Sequence, residues 1–312
     1  MVEEDSDQAV TEDAGSSARL RKWATYASVS TATVLIITKL VAYVLTDSVS
    51  LLSSLMDSTI DAFASIVMMI GVHHAVQPAD REHRFGHGKF EALASMTQAV
   101  FIAGSGVFLV YESLRRFVSP QQIHHSGIGI GDMVFAIVLT FMLLAFQHYV
   151  IRKTGSVAIA ADSLHYKGDL LINLAVIAAI LLTGYTAWPY FDPLFAIVIA
   201  AVLLVGAWKI GQQSIDILAD RELSEAQRRE IYDIVLAHDQ VRDMHDLRTR
   251  TSGLQEFIEF HMEIDGLMTV HDAHTITEHI EDRLHEAFPG SEVIIHQEPH
   301  GIDDERLDDR VS

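Results

Sequence analysis

The chain has 312 residues, 49% of them hydrophobic, no cysteine, and 22 basic against 42 acidic residues for a formal charge of −20. A mean hydropathy of +0.23 argues against two soluble domains, and the acidic balance argues against nucleic acid or anionic lipid as partners, since both need a positive face. Without thiols there are no disulfides and no thiolate metal sites, so any soft-metal chemistry must run on imidazole and carboxylate.

Residues 1–22 hold six acids and lack the charged, then apolar, then small pattern of a cleaved signal peptide. They are expected to form a disordered acidic N-terminal tail, with the first apolar helix as targeting signal. Six stretches long enough to cross a hydrocarbon core follow, at about 24–46, 50–75, 91–114, 128–150, 157–183 and 189–213. They predict a transmembrane domain over 23–215. Lys and Arg in the short connections set its orientation. With both termini cytoplasmic, the inner segments carry Arg19, Arg21, Lys22, Arg81, Arg84, Lys89, Arg152, Lys153 and Lys209, and the outer ones only Arg115 and Arg116.

The second span contains Asp57 and Asp61, one helical turn apart. Each acid costs about 2.5 to 3.5 kcal/mol at mid-bilayer, so such residues are rare and usually functional. In the fifth span His165 and Asp169 are also four apart, hence on one helix face. At 1.5 Å per residue both pairs fall roughly 10 to 18 Å from their respective membrane faces, which brings them to one level near the midplane. Three carboxylates and an imidazole there would repel one another and take up protons unless a cation neutralised them. Zn²⁺ suits that donor set, with Cd²⁺, Fe²⁺ and Mn²⁺ as alternatives. The competing reading is a pair of interhelical hydrogen bonds. Asp162, Lys167 and Lys39 are expected to be structural, with Asp162 and Lys167 off the Asp169 face or near the inner water boundary and Lys39 reaching outward.

The loop after span two reads ADREHRFGHGK, where Asp80, His83 and His87 are candidate ligands and Gly86 and Gly88 permit a tight turn. A solvated polar loop is the alternative.

Residues 216–300 change character. A helical period at 225–238, strands at about 244–252 and 255–265, a helix over 271–287 ended by Pro289 and Gly290, and a strand at 291–297 predict an αββαβ domain. This is a cytoplasmic α+β fold, ferredoxin-like or metallochaperone-like. It holds nine of the 17 histidines. His245, His261, His274, His296 and Glu298 are the set that strand ends and a helix start bring toward one edge, with an ordinary solvated surface as alternative. His238, His271, His279, His285 and His300 are expected to be surface residues. Residues 301–312 add five acids and are expected to form an acidic C-terminal tail.

The stretches SVSLLSSLMDSTIDAFAS, QPADREHRFGHGKFEALA, ADSLHYKGD, HDLRTR and PGSEVIIHQEP together resemble the cation diffusion facilitator family, most closely its bacterial YiiP-type zinc and iron efflux branch. The resemblance implies a membrane all-α bundle of six helices plus the cytoplasmic domain, assembled as a homodimer in the bacterial inner membrane with both termini inside. It implies that Asp57, Asp61, His165 and Asp169 form the transport site, that Asp80, His83 and His87 hold a loop zinc, and that His245, His261, His274, His296 and Glu298 form a binuclear cytoplasmic site with Gln297 adjacent. Lys89 and Asp220 match a charge pair at the dimer's membrane junction. Where the branch usually has HQDP this chain has HQEP, so the longer Glu298 is expected to weaken bridging between two metals.

The function implied is proton-coupled antiport of Zn²⁺, with Cd²⁺ and Fe²⁺ as alternatives, protons as counter-ion, and a metal-sensing cytoplasmic domain. A membrane-anchored metal sensor without transport is the runner-up, disfavoured because a sensor needs no mid-membrane quartet. An enzyme is not expected, since the paired Glu-x-x-His motifs of an intramembrane di-metal centre are absent at matching depth.

Overall fold

The computed structural model describes residues 2–47, 49–118, 127–186, 188, 190–301, 306, 307 and 310. Six long helices come first: α1 (Val2–Thr46), α2 (Val49–Ala75), α3 (Lys89–Val118), α4 (Gly127–Thr154), α5 (Val157–Thr186) and α6 (Phe191–Leu218). Each contains a window long and apolar enough to cross a membrane. Then follow α7 (Glu225–Leu236), β1 (Asp243–Thr251), β2 (Glu256–Ile264), α8 (Val270–Ala287) and β3 (Glu292–Pro299). The chain divides into two compact units, residues 13–215 and residues 216–312 with 1–12. The architecture is a six-helix membrane bundle plus an αββαβ domain.

One boundary differs from the expectation. Helix α1 begins at Val2, so the acidic segment read as a disordered tail is its first turns. Glu and Ala, frequent in this stretch, are good helix formers. Part of the C-terminal tail, residues 302–305, 308, 309, 311 and 312, lies outside the described residues. Arg306 does not behave as a frayed tail residue, because it donates to Glu263 and Asp243.

The bundle is tied by buried polar groups that hydropathy alone does not reveal. Glu91, near the start of α3, is 3% exposed. Its carboxylate accepts from the Arg21 guanidinium of α1, from the Ser156 hydroxyl at 2.6 Å and from the Ala158 N–H at 3.3 Å. A negative charge therefore sits on the N-terminal amides of α5, where the helix dipole favours it. Arg21 also donates to the Thr154 carbonyl at 2.6 Å, so α1, α3, the end of α4 and the start of α5 meet at one ion pair.

Packing of α5 against α6 is reciprocal. A methyl at Gly168 would sit 2.9 Å from Leu203, and one at Gly206 would sit 2.6 Å from Leu164. Each leucine thus fills the gap that the facing glycine leaves, which permits close helix approach without a hydrophobic drive between helices in lipid.

In the cytoplasmic unit α7 starts with a capping box, Ser224 and Gln227 each satisfying the other's backbone N–H, and α8 starts at the N-cap Thr269. Both helices cover one face of a three-stranded sheet, order β1-β2-β3, with β1 antiparallel and β3 parallel to β2. Ile258, Phe260, Met262 and Ile264 alternate into that core, joined by Ile231, Ile276, Ile280 and Leu284. Strand β1 breaks the alternation. Its register to β2 shifts between His245 and Arg248, and Asp246 takes φ +53°. The bulge absorbs one residue, so that Met244 and Leu247, three apart, both enter the core while His245 stays on the opposite face.

Glu91→Ala is expected to cost about 3–5 kcal/mol by stranding the Arg21 charge, and an Arg21→Met, Glu91→Leu double replacement to recover most of it. Unfolding of the detergent-solubilised variants measures both; a double variant no more stable than Glu91→Ala would contradict the account.

Candidate metal centres

The membrane site is set by helical spacing on two elements. Asp61 projects from α2, and His165 and Asp169 lie one turn apart on α5. Their ligand atoms fall within 4.8 Å of one another. The Nε2 of His165 is 3.2 Å from an Asp61 oxygen and 3.8 Å from an Asp169 oxygen, and it has no aligned hydrogen-bond partner. An imidazole nitrogen between two carboxylates, without an aligned hydrogen bond, is a donor set that fits a divalent cation. Asp57, the fourth expected member, is exposed one turn away on α2 and is not in that cluster.

The neighbouring polar residues differ from expectation in detail. Asp162 is 0% exposed rather than near water. Its Oδ2 accepts from Ser28 on α1 and from Gln147 on α4 at 2.7 Å, so three helices share one buried carboxylate. Lys39 does not reach outward; its ammonium donates to the Ser58 hydroxyl at 2.6 Å and the Ser54 carbonyl at 3.4 Å, both on α2. Lys167 is exposed. Beside the site, Tyr166 donates to the Ser28 carbonyl at 3.0 Å and stands 3.1 Å from the Ser65 hydroxyl, joining α1, α2 and α5. Ser28 and Gln147, polar residues inside apolar spans, are the signal from which this network was readable.

The loop between α2 and α3 brings Asp80, His83 and His87 together. Asp80 folds an Asx-type turn, its Oδ1 accepting the N–H groups of His83 at 2.7 Å and Glu82 at 2.8 Å. Gly86 at φ +76° turns the chain back, a conformation costly for any residue with a Cβ. The Nδ1 of His87 pairs with the Pro78 carbonyl at 3.1 Å, leaving Nε2 facing Asp80 at 3.4 Å. That is the tautomer of a metal ligand whose second nitrogen is fixed by a backbone acceptor. The His83 N–H, then that of Glu82 and the charge of His87 and His83 when protonated, hold the Asp80 carboxyl below its ordinary 3.8.

On the cytoplasmic sheet, register does the work. His245 pairs with His261 across β1 and β2, and His261 with His296 across β2 and β3, so three imidazoles form one row on the face opposite the helices. Glu298 lies two residues beyond. Its Oε1 is 2.9 Å from His261 and 3.4 Å from His296, while Oε2 is 3.3 Å from His245. The two oxygens of one carboxylate face different imidazoles. Imidazoles with a carboxylate suit Zn²⁺. Gln297 alternates to the other face and donates to Thr277 of α8 at 2.6 Å, away from the row. His274 is exposed on α8 and faces Glu278 at 3.4 Å; it does not join the row within one chain.

Comparison with known proteins agrees with this layout. Residues 25–219 match the model of the cation efflux transmembrane domain, and residues 223–300 that of the cation efflux protein cytoplasmic domain. The chain is 42% identical over 284 residues to the cation-efflux pump FieF of Salmonella schwarzengrund, covering 91% of this chain and 94% of that protein. The FieF of Salmonella arizonae gives the same identity and coverage. Among solved structures, the metal-bound C-terminal domain of the CzcD transporter from Thermotoga maritima is 31% identical, with a TM-score of 0.24, over 26% of this chain and all of that one.

The depressed Asp80 carboxyl fixes a sign. Its ionised form supports the loop above the unfolded value of about 3.9, and that support is lost only as pH falls below it. The turn that Asp80 caps is therefore expected to keep its form down to about pH 4; loss of the His83 and Glu82 amide protection at clearly higher pH, followed by hydrogen exchange, would contradict this.

Proposed function

This chain belongs to the cation diffusion facilitator family of multi-pass cation efflux transporters, and from that premise we propose that it moves Zn²⁺ outward across a bacterial inner membrane in exchange for protons. The observation that carries the reading is the meeting of Asp61, His165 and Asp169 around one point in the apolar bundle.

Carboxylate and imidazole bind a metal ion only when deprotonated, so loading the ion expels protons and protonation expels the ion. Exchange thus follows from ligand chemistry. Asp57, one turn from Asp61, is the fourth ligand when α2 shifts relative to α5, which gives the site two arrangements of the kind alternating access needs. The small residues Ala62, Ala64 and Ser65 on α2 leave room for that helix to slide past its neighbours. An imidazole among carboxylates favours Zn²⁺ and Cd²⁺ over Mn²⁺, with Fe²⁺ tolerated.

A cytoplasmic position for both termini is supported by the uneven distribution of Lys and Arg, which then falls mostly in the inner connections. The loop of Asp80, His83 and His87 and the row of His245, His261, His296 and Glu298 would each hold resident Zn²⁺, the row offering enough donors for a binuclear site. The exposed His274 completes that site from the second copy of a homodimer, and Lys89 and Asp220 form the charge pair at its membrane junction. Resident metal between two acidic subunits relieves their repulsion and biases the dimer toward a competent state, provided affinity differs between states.

In proteoliposomes loaded with a zinc-sensitive dye, Asp61→Ala or Asp169→Ala is expected to reduce zinc flux by about 100-fold or more, ligand loss exceeding the 10–100-fold typical of supporting residues. Flux at parental level in either variant, or flux indifferent to a pH gradient, would end the proposal. His165→Asp should move preference toward Mn²⁺ in ion-competition assays; unchanged zinc preference would sink the selectivity argument.

A further inference from the structure

The sheet face that bears the histidine row carries a second row of charged residues. Asp243 pairs with Glu263 across β1 and β2, and Glu263 with Glu298 across β2 and β3. Glu263, in the middle, is 4% exposed, a burial that a carboxylate tolerates only with partners. Its Oε2 is 2.7 Å from the Nδ1 of His300, and its Oε1 accepts from Arg306 at 2.7 Å and lies 3.4 Å from the Nδ1 of His245. Arg306 also donates to Asp243 at 3.3 Å. The carboxylate is thereby fixed from the C-terminal side of the chain.

His245 is strung between two carboxylates, with Nδ1 toward Glu263 and Nε2 toward Glu298. A neutral imidazole has one proton and one lone pair. If Nε2 gives its lone pair to a metal beside Glu298, the proton must sit on Nδ1. That nitrogen belongs to a ring 4% exposed and has no aligned hydrogen-bond partner in this arrangement, a costly state for a buried N–H. The acceptor standing before it is the Glu263 Oε1.

We infer that Glu263 is the positioning residue of the cytoplasmic metal site: it receives the Nδ1 proton of His245, fixes the ring's tautomer and direction, and leaves Nε2 for the metal. This rests on the reading of His245 as a ligand in the proposed cytoplasmic site. The nearest hydrogen-bonded partners of Glu263, Arg306 and His300, hold the carboxylate in place, so the segment after β3 takes part in shaping a site whose ligands lie on the strands. Carboxylates in this relation to a ligating histidine raise its basicity and are worth 10–100-fold in metal affinity.

The test uses the full-length protein in detergent with the membrane and loop sites removed by Asp61→Asn, Asp169→Asn, His83→Ala and His87→Ala, and Co²⁺ as probe, read by its visible d–d absorption. Glu263→Ala is expected to weaken Co²⁺ binding about 10–100-fold and to shift the bands. Glu263→Gln, whose amide oxygen still accepts the Nδ1 proton, should recover most of the affinity and the parental bands. Parental affinity and spectrum in Glu263→Ala, while His245→Ala loses binding, would overturn the inference; so would equal weakening in Glu263→Ala and Glu263→Gln with parental bands, since the loss would then follow charge or folding. Parental binding in His245→Ala would instead fault the ligand reading itself.

Discussion

The organising constraint is that charge inside an apolar bundle must be compensated from within it. Water is absent there and each uncompensated ion is costly. The bundle solves this in two ways. Arg21 with Glu91, and Asp162 with Ser28 and Gln147, are compensated by protein partners and knit helices together. Asp61 and Asp169 instead gather around the Nε2 of His165, which has no aligned hydrogen-bond partner among the described residues. In the proposed function, a polar group is structural when its partner is part of the chain and transporting when its partner is the ion.

Much of this was legible in the sequence because the relevant periods are short. Four-residue spacing put His165 and Asp169 on one face, alternation at 255–265 sorted Phe260 inward and His261 outward, and a run of apolar residues marked every span. What was not legible depended on pairing between elements distant in the chain. Arg21 read as an inner-loop charge because its partner lies seventy positions away. Asp162 read as peripheral because Ser28 and Gln147 come from other helices. The left-handed Asp246 hides in an ordinary MHDL stretch, although without that bulge His245 could not share a face with His261 while Met244 and Leu247 share the core. Which imidazoles Glu298 faces follows from the parallel register of β3 to β2, a pairing that side-chain length alone does not give.

The membrane and cytoplasmic sites also differ in how their ligands are joined, and that difference sorts their roles. The imidazole row rides on strands locked by backbone hydrogen bonds, where a slip of one residue would turn every side chain to the other face. Such a frame holds ligand positions nearly constant and is suited to retaining an ion. The membrane ligands ride on separate helices, α2 and α5, whose own hydrogen bonds are satisfied internally. No backbone ladder joins α2 to α5 as one joins the strands, and where α2 meets Tyr166 of α5 it presents the small Ser65.

A slip of that kind changes the donor set without breaking any secondary structure. Asp57 and Asp61 are one turn, about 5.4 Å, apart along α2, so in the proposed function a displacement of α2 along α5 by a fraction of a turn would bring Asp57 to His165 beside Asp61. Asp57's exposed position outside the cluster is consistent with one end of such a movement. A pair of acids at this spacing would therefore let one helix present one carboxylate or two to the same imidazole, a use that offsets the cost of placing both at such depth.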